Sequence, residues 1–419
     1  MILKGMSIML DLMIKNATLA TPLGSNPKSG VCQGEIQIKS GVDIGILDGK
    51  ITHIAERGGI LSPANEVINA RGRLVTPGLV DSHTHLVFGG FRQNELAMKL
   101  AGAQYLEILA AGGGILSTVK ATREAGFDEL YDKAAGFLDE MLDHGTTTVE
   151  AKSGYGLDFE TELKQLEVVR KLNIHHEMDL VATFMGAHAV PPEFAGNSDG
   201  YVDLLIKEII PKMADEGLAK YCDIFCEDSV FNVEQSRKIL LAAKEHGFEL
   251  KIHADEIVDL GGAKLAAELC AVSAEHLIAA SDEGLQALAK SGTTAILLPA
   301  TSFYLGKPYA RARKMIDLGI PVAIASDFNP GSSPSFNMQL TLTLAYIGYR
   351  MTPAEALTAA TLNGACAIGL GDTKGTIEVG KDADIVVWDC PDLDFLFYRF
   401  GNNQVYTVIK NGGVSYEID

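Results

Sequence analysis

The chain has 419 residues, 47% hydrophobic and 21% charged with 43 glycines, an ordinary globular composition with enough apolar material for one large domain or a barrel plus an accessory domain. A formal net charge of −19 and the lack of any long basic run exclude a phosphate-backbone partner, so no nucleic acid is expected. No segment reaches the roughly 18–20 apolar residues of a membrane span.

The chain opens with MILKGMSIMLDLMIKN, whose Lys4, Asp11 and Lys15 interrupt the apolar stretch a secretion signal needs. Residues 1–76 then read as short alternating strands: LMIKNATLAT, DIGILDGKITHIAE with an Asp48-Gly49 hairpin turn, and ANEVINARGRLVTPG. Over 77–373 the pattern changes. Short apolar runs recur at 74–85, 146–154, 179–188, 221–227, 248–256, 272–277, 293–300 and 321–327, each followed by a longer amphipathic helical stretch. Eight β-then-α units predict an α/β protein with a (β/α)₈ TIM-like barrel. An open doubly wound sheet is the alternative, but its nucleotide fingerprint is missing. KSGYGL has the wrong flanks, and Gly112-Gly113-Gly114 follows a helix and reads as a plain flexible loop, with a moving lid the other possibility. Residues 374–419 return to the opening style, in GTIEVGKDADIVVWD and QVYTVIKNGGVSYEI, so the two ends are expected to pack as one small β-sandwich. The six scattered cysteines fit reduced, mostly buried thiols in a cytoplasmic protein, with Cys222 and Cys226 in the core.

In seven of the eight runs the polar residues gather at the carboxyl end, and the preceding residues are read as apolar. That end of a parallel barrel is its active-site mouth, which points to an enzyme. His83-Thr84-His85 closes the first run, and alternate strand residues project to one side, so both imidazoles reach the same spot. His253 closes the fifth run and Asp327 the eighth. An isolated His-x-His is more often two ordinary strand histidines, but this set at three strand ends fits one Zn²⁺ or Fe²⁺/Fe³⁺ ion with positions left for water. Such an ion lowers the pKa of bound water towards ~7, which is hydrolysis chemistry. Asp255 is a rival ligand read instead as a helix N-cap. His144-Gly145 and His246-Gly247 read as helix C-caps, and His53, His175 and His176 as structural. His188 and His276 end the third and sixth runs and face the mouth; Glu256, just past the fifth, suits an acid–base group over a solvated helix-start glutamate.

PGLVDSHTHLVFGG, the His253 and His276 strand ends, ASD at 325–327 and TPAEALTAATLNGACAIGLGD with GTIEVGKDADIVVWD resemble the amidohydrolase superfamily over essentially the whole chain. Within it, DSHTHLVFGGFRQNE, EAKSGYGL, FMGAHAVPPEF and SDFNPGSSP look like the imidazolonepropionases of histidine degradation. The resemblance implies hydrolysis of 4-imidazolone-5-propanoate to N-formimidoyl-L-glutamate by a homodimer with one zinc or iron ion on His83, His85, His253 and Asp327. It implies substrate contacts from Arg92, Tyr155, His188, Glu256, Asn329, Gly331 and Ser332, and a catalytic role for His276. No carboxylated lysine is expected, although Lys152 ends the second run. The residues agree with that substrate. Arg92 carries a planar fork suited to a propanoate, where the bland reading is a surface arginine. Tyr155 and His188 supply hydrogen bonds, although a tyrosine in a glycine-rich loop often merely packs. The loop Asn329–Ser332 offers backbone N–H groups to an anion, against a plain turn.

The expected mechanism has metal-activated water attacking the ring carbonyl, His276 stabilising the oxyanion and Asp327 moving the proton, with Glu256 holding or protonating the ring. A deaminase on the same scaffold would release ammonia. A metal-free scaffold protein would lack the ligands that are present here.

Overall fold

The computed structural model describes residues 8–102 and 113–418; Gly112, and with it part of the predicted glycine loop, lies outside them, as do residues 1–7. Alternating side chains near the N-terminus form β1 (Leu10–Thr21), β2 (Gln37–Leu47), β3 (Lys50–Glu56), β4 (Ala64–Asn69) and β5 (Leu74–Pro77). Asp48 and Gly49 both take positive φ, +51° and +71°, which closes the β2–β3 hairpin as their sequence demands.

The barrel strands are β6 (Leu79–Thr84), β7 (Thr146–Lys152), β8 (Asp179–Ala187), β9 (Tyr221–Cys226), β10 (Glu249–Ala254), β11 (Ser273–His276), β12 (Thr294–Leu297) and β13 (Val322–Ile324). Each pairs in parallel with the next in chain order. The chain beyond β13 closes the ring against the end of β6: Asp327 N–H donates to His83 O at 3.0 Å and His85 N–H to Phe328 O at 2.8 Å. The outer helices bury one stripe each. The helix Phe127–Asp143 buries Leu130, Ala134, Leu138, Met141 and Leu142, one turn apart. It ends at His144 with Gly145 at φ +89°, and the helix Val233–Glu245 ends alike at His246 with Gly247 at φ +91°.

The last strands, β14 (Ile385–Trp388), β15 (Val405–Lys410) and β16 (Gly413–Glu417), join the first ones through the antiparallel β14–β5 pair. Both ends of the chain thus form one mixed sheet of eight strands around its own core, which includes Leu12, Ile14, Val42, Ile44, Ile385 and Ile409. An ion cluster fastens that sheet to the foot of the barrel. Lys410 Nζ lies 2.9 Å from Asp384 and 2.5 Å from Asp179 at the start of β8, and Lys374 Nζ lies within 3.1 Å of Asp179, Asp382 and Asp384.

Two expectations need correction. The barrel interior is not apolar up to the mouth: Asp81, Glu150, Lys152, Asp223, Lys251 and Glu275 are all at most 1% exposed. Glu150, Lys152, Asp223, Lys251 and Glu275 are tolerated there because they pair with one another, while the Asp81 carboxylate accepts from Ser326 N–H and Oγ. The thiols are less buried than composition suggests, for Cys32 and Cys270 are exposed and only Cys222, Cys226 and Cys390 are buried.

Candidate active site

At the mouth, ring closure brings together side chains from strands far apart in sequence. His83 and His253 rings have centroids 4.6 Å apart, and His85 lies 5.4 Å from His83 and 5.6 Å from His253. One nitrogen from each of these three rings lies within 4.8 Å of the others, and all three residues are buried. Asp327 Oδ1 stands 3.4 Å from His83 Nε2 and 3.6 Å from His85 Nε2. Its other oxygen accepts a 2.6 Å hydrogen bond from Thr301 Oγ1.

The chemistry of these atoms fits a metal ion. His253 Nε2 is buried with no hydrogen-bond partner, and His83 Nε2 meets only the Asp327 carboxylate. An unpaired buried nitrogen is costly, and a cation at the common point satisfies it. The far side of two of the three rings, His83 and His253, is fixed. His83 Nδ1 lies 2.6 Å from Glu275 Oε2, and His253 Nδ1 lies 3.1 Å from Asp223 Oδ2. A carboxylate behind a ligating imidazole sets its tautomer and orientation. Below them Lys152 Nζ touches Asp223 at 2.7 Å, Glu150 at 3.0 Å and Glu275 at 3.2 Å, while Lys251 Nζ lies 2.9 Å from Glu150. Those carboxylates hold Lys152 well above the ordinary lysine value against the effect of burial, so it is an ammonium group rather than a carboxylated bridge.

Electrostatics separate the remaining groups. Burial holds His276 and His188 at about 3, so both are neutral. Burial, with the charges of Asp327 and Glu227, raises Glu256 to about 8. Burial would also raise Asp327, but His83, His276 and Thr301 bring it to about 2. Burial would lower His83, yet the Glu275 carboxylate outweighs it and the ring reaches about 9. A proton or a metal ion on that ring answers the same negative field. His276 Nε2 lies 3.6 Å from Glu256 Oε2, and its ring stands 5.7 Å from that of His83. Two of these residues sit in left-handed backbone, His276 at φ +67° and Asp327 at φ +54°, conformations that side-chain-bearing residues adopt at a cost and that gather at functional sites.

Opposite the carboxylates, His188 stacks on His85 with centroids 4.8 Å apart and a 15° tilt, and Tyr155 lies 5.3 Å from His188. His188 Nδ1 lies 3.1 Å from Gly154 O. Residue 154 is glycine for two reasons: its φ is +111°, and a Cβ would come within 2.8 Å of His188 Nδ1.

The amidohydrolase family model matches residues 74–414, from β5 through the whole barrel and into β16. The imidazolonepropionase of Thermoanaerobacter pseudethanolicus is 51% identical over 404 residues, 96% of this chain and 97% of that one. The imidazolonepropionase of Treponema denticola is 56% identical over 352 residues, 84% and 85% of the two chains. This chain belongs to the imidazolonepropionase family of amidohydrolases. Among solved structures, Klebsiella pneumoniae 5-methylcytosine deaminase superposes with a TM-score of 0.74 at 18% identity, covering 97% of this chain and 98% of that one. Escherichia coli guanine deaminase gives 0.71 at 19%, covering 98% and 100%. At such identities the likeness speaks for the fold alone.

Of the residues read from the sequence, His83, His85, His253, Asp327, His276, Glu256, His188 and Tyr155 converge within this family's barrel mouth. Asp255 is indeed a cap: its carboxylate accepts from the N–H groups of Leu260, Gly261, Gly262 and Ala263. The loop after Asp327 is corrected. The N–H groups of Gly331 and Ser332 both donate to Asn329 Oδ1 at 2.8 Å, so they close an Asx-type turn rather than face an anion. Arg92 is not a loose surface fork either, since Glu95 holds it at two points, 2.9 Å each. Sequence reading missed Glu275, Asp223, Lys251, Thr301 and Glu95. The usable signal was an ionisable residue inside an apolar strand, as in LKIHA and YCDIFC.

Proposed function

We propose that the chain opens the ring of 4-imidazolone-5-propanoate by adding water across a ring C–N bond, yielding N-formimidoyl-L-glutamate. The observation that carries this reading is the buried convergence of His83, His85, His253 and Asp327 in a chain 51–56% identical to imidazolonepropionases over most of its length.

Those four residues would hold one zinc or iron ion, which would supply Lewis acidity and activate water at neutral pH. Asp327, an anion at that pH, takes the water proton and passes it towards the departing ring nitrogen. His276 is neutral and donates a hydrogen bond where charge develops on the carbonyl oxygen. Burial favours the protonated form of Glu256, which hydrogen-bonds the ring beside His276. Arg92 pairs with the propanoate, Tyr155 and His188 hydrogen-bond the substrate, and the Asn329–Ser332 turn forms a wall of the pocket. The family likeness also supports a homodimer, and six unpaired cysteines support a cytoplasmic setting. Among the described residues no helix is long and apolar enough to cross a membrane.

The test combines elemental analysis with turnover, before and after chelation. About one zinc or iron per chain is expected, with imidazolone consumption lost on chelation and restored by the ion. Ammonia release from cytosine or guanine, with no turnover of the imidazolone, would overturn the assignment.

A further inference from the structure

Beside Gly331, four residues past Asp327, Arg92 and Glu95 form a two-point ion pair. Arg92 Nε donates to Glu95 Oε1 and Nη2 to Oε2, each at 2.9 Å. The pair is built by the start of the helix Gln93–Leu100, in whose first turn Glu95 lies. An acid at this position usually reaches back to the capping residue's backbone; here it takes the side chain of Arg92 just before the helix. Glu95 is 2% exposed, and its Oε1 also accepts the backbone N–H of Gly114 at 2.7 Å. The remaining guanidinium nitrogen, Nη1, lies against Gly331, where a Cβ would stand only 2.1 Å away. One edge of the fork is therefore held by a buried carboxylate, and the other is seated over a residue with no side chain.

We infer that Glu95 is a positioning residue, one that fixes the Arg92 guanidinium so that its Nη1 end is presented to the substrate carboxylate. This rests on the reading that Arg92 binds the propanoate. A long side chain that is loose in the free enzyme must lose its rotamer freedom on binding, whereas a guanidinium locked by a bidentate pair has lost it on folding. Charge alone predicts the reverse. Glu95 is an anion beside an anion-binding group, so by electrostatics its removal would tighten the carboxylate, and the two accounts differ in sign.

The experiment uses the metal-loaded enzyme and two competitive probes, imidazole-4-propanoate and 4-methylimidazole, which lacks the carboxylate. Glu95→Gln should weaken imidazole-4-propanoate and raise KM about tenfold, leaving kcat within about threefold and 4-methylimidazole within about twofold. Glu95→Ala should have a larger effect on the same two quantities. In an Arg92→Ala background Glu95→Gln should add nothing to the loss of imidazole-4-propanoate, and unchanged binding of 4-methylimidazole by every variant shows that the pocket has kept its fold. Tighter or unchanged binding of imidazole-4-propanoate, or equal weakening of both probes, overturns the role of Glu95. If Arg92→Ala itself leaves imidazole-4-propanoate unchanged, the Arg92 reading fails and this one with it. If Arg92→Ala weakens that probe while Glu95→Gln is silent, only the positioning role falls.

Discussion

The barrel carries a charge cluster at each end, partly exposed at the foot and buried at the mouth, and the two are built to different totals. At the foot, Lys50, Lys374 and Lys410 meet Asp179, Asp382 and Asp384, three cations against three anions, and the ion pairs close on themselves. At the mouth, Lys152 and Lys251 meet Glu150, Asp223, Glu275 and Asp327 through His83 and His253, two cations against four anions. With the histidines neutral these six side chains sum to −2, a charge one divalent ion would offset, and the network ends at His253 Nε2, which has no hydrogen-bond partner. Buried charge persists only when it is compensated. A cluster that balances by itself is a fastener between two packed units; one that does not marks the place of a cation.

The strongest way to break this contrast is to remove a ligand. His253→Ala should abolish stoichiometric metal and lower turnover by at least about 10³-fold, while Asp384→Asn at the foot changes neither. Full metal content in His253→Ala would erase the distinction. His276→Ala should lower kcat by about 10²–10³-fold with little change in KM, the mark of a group used only in the transition state; steady-state kinetics with a pure KM effect would refute that. Glu275→Gln removes the carboxylate behind His83 and should weaken metal affinity about 10–100-fold in a chelator competition. Asp384→Asn should leave that affinity alone and cost about 1–3 kcal/mol in urea unfolding, because it removes a charged acceptor shared by two buried lysines that keep Asp179.

The smallest effect sharpens the electrostatics. In the metal-free protein Glu256 is raised from 4.5 to about 8. Between those values the folded state holds a proton that the unfolded state has released, so its contribution to stability is intact below pH 4.5 and is lost as pH rises towards 8. Glu256→Gln, which cannot ionise, should gain on the parent protein over that window. A stability difference that stays flat with pH in urea titrations would show that Glu256 is not held protonated.

Much of the site was legible because its signals are local. His83 and His85 share strand parity at a run that visibly ends, and Asp327 ends another. Gly145 and Gly247 follow helix-ending histidines and take the left-handed backbone only glycine adopts freely. The illegible parts depend on partners. Asn329–Ser332 offers three polar residues to any reader, yet the asparagine side chain folds back on the turn's own N–H groups, and nothing in the spelling distinguishes that from an anion site. Nothing along the chain shows that Glu95 takes the fork of Arg92. Glu275 and Asp223 stand on strands remote from His83 and next to His253, and only the closed barrel shows which ring each one backs.

By itself, then, the amino-acid order determined the strands, the helices, their caps and the candidate metal ligands at the strand ends, since these follow from spacings of two to four residues along one chain. Ring closure alone decided that residues 83, 253 and 327 meet, that Lys152 and Lys251 lie beneath them, and that the charges at the mouth fall short by two. Distances between remote strands, and the pairing energies of buried charge that depend on them, exist only once the barrel has shut.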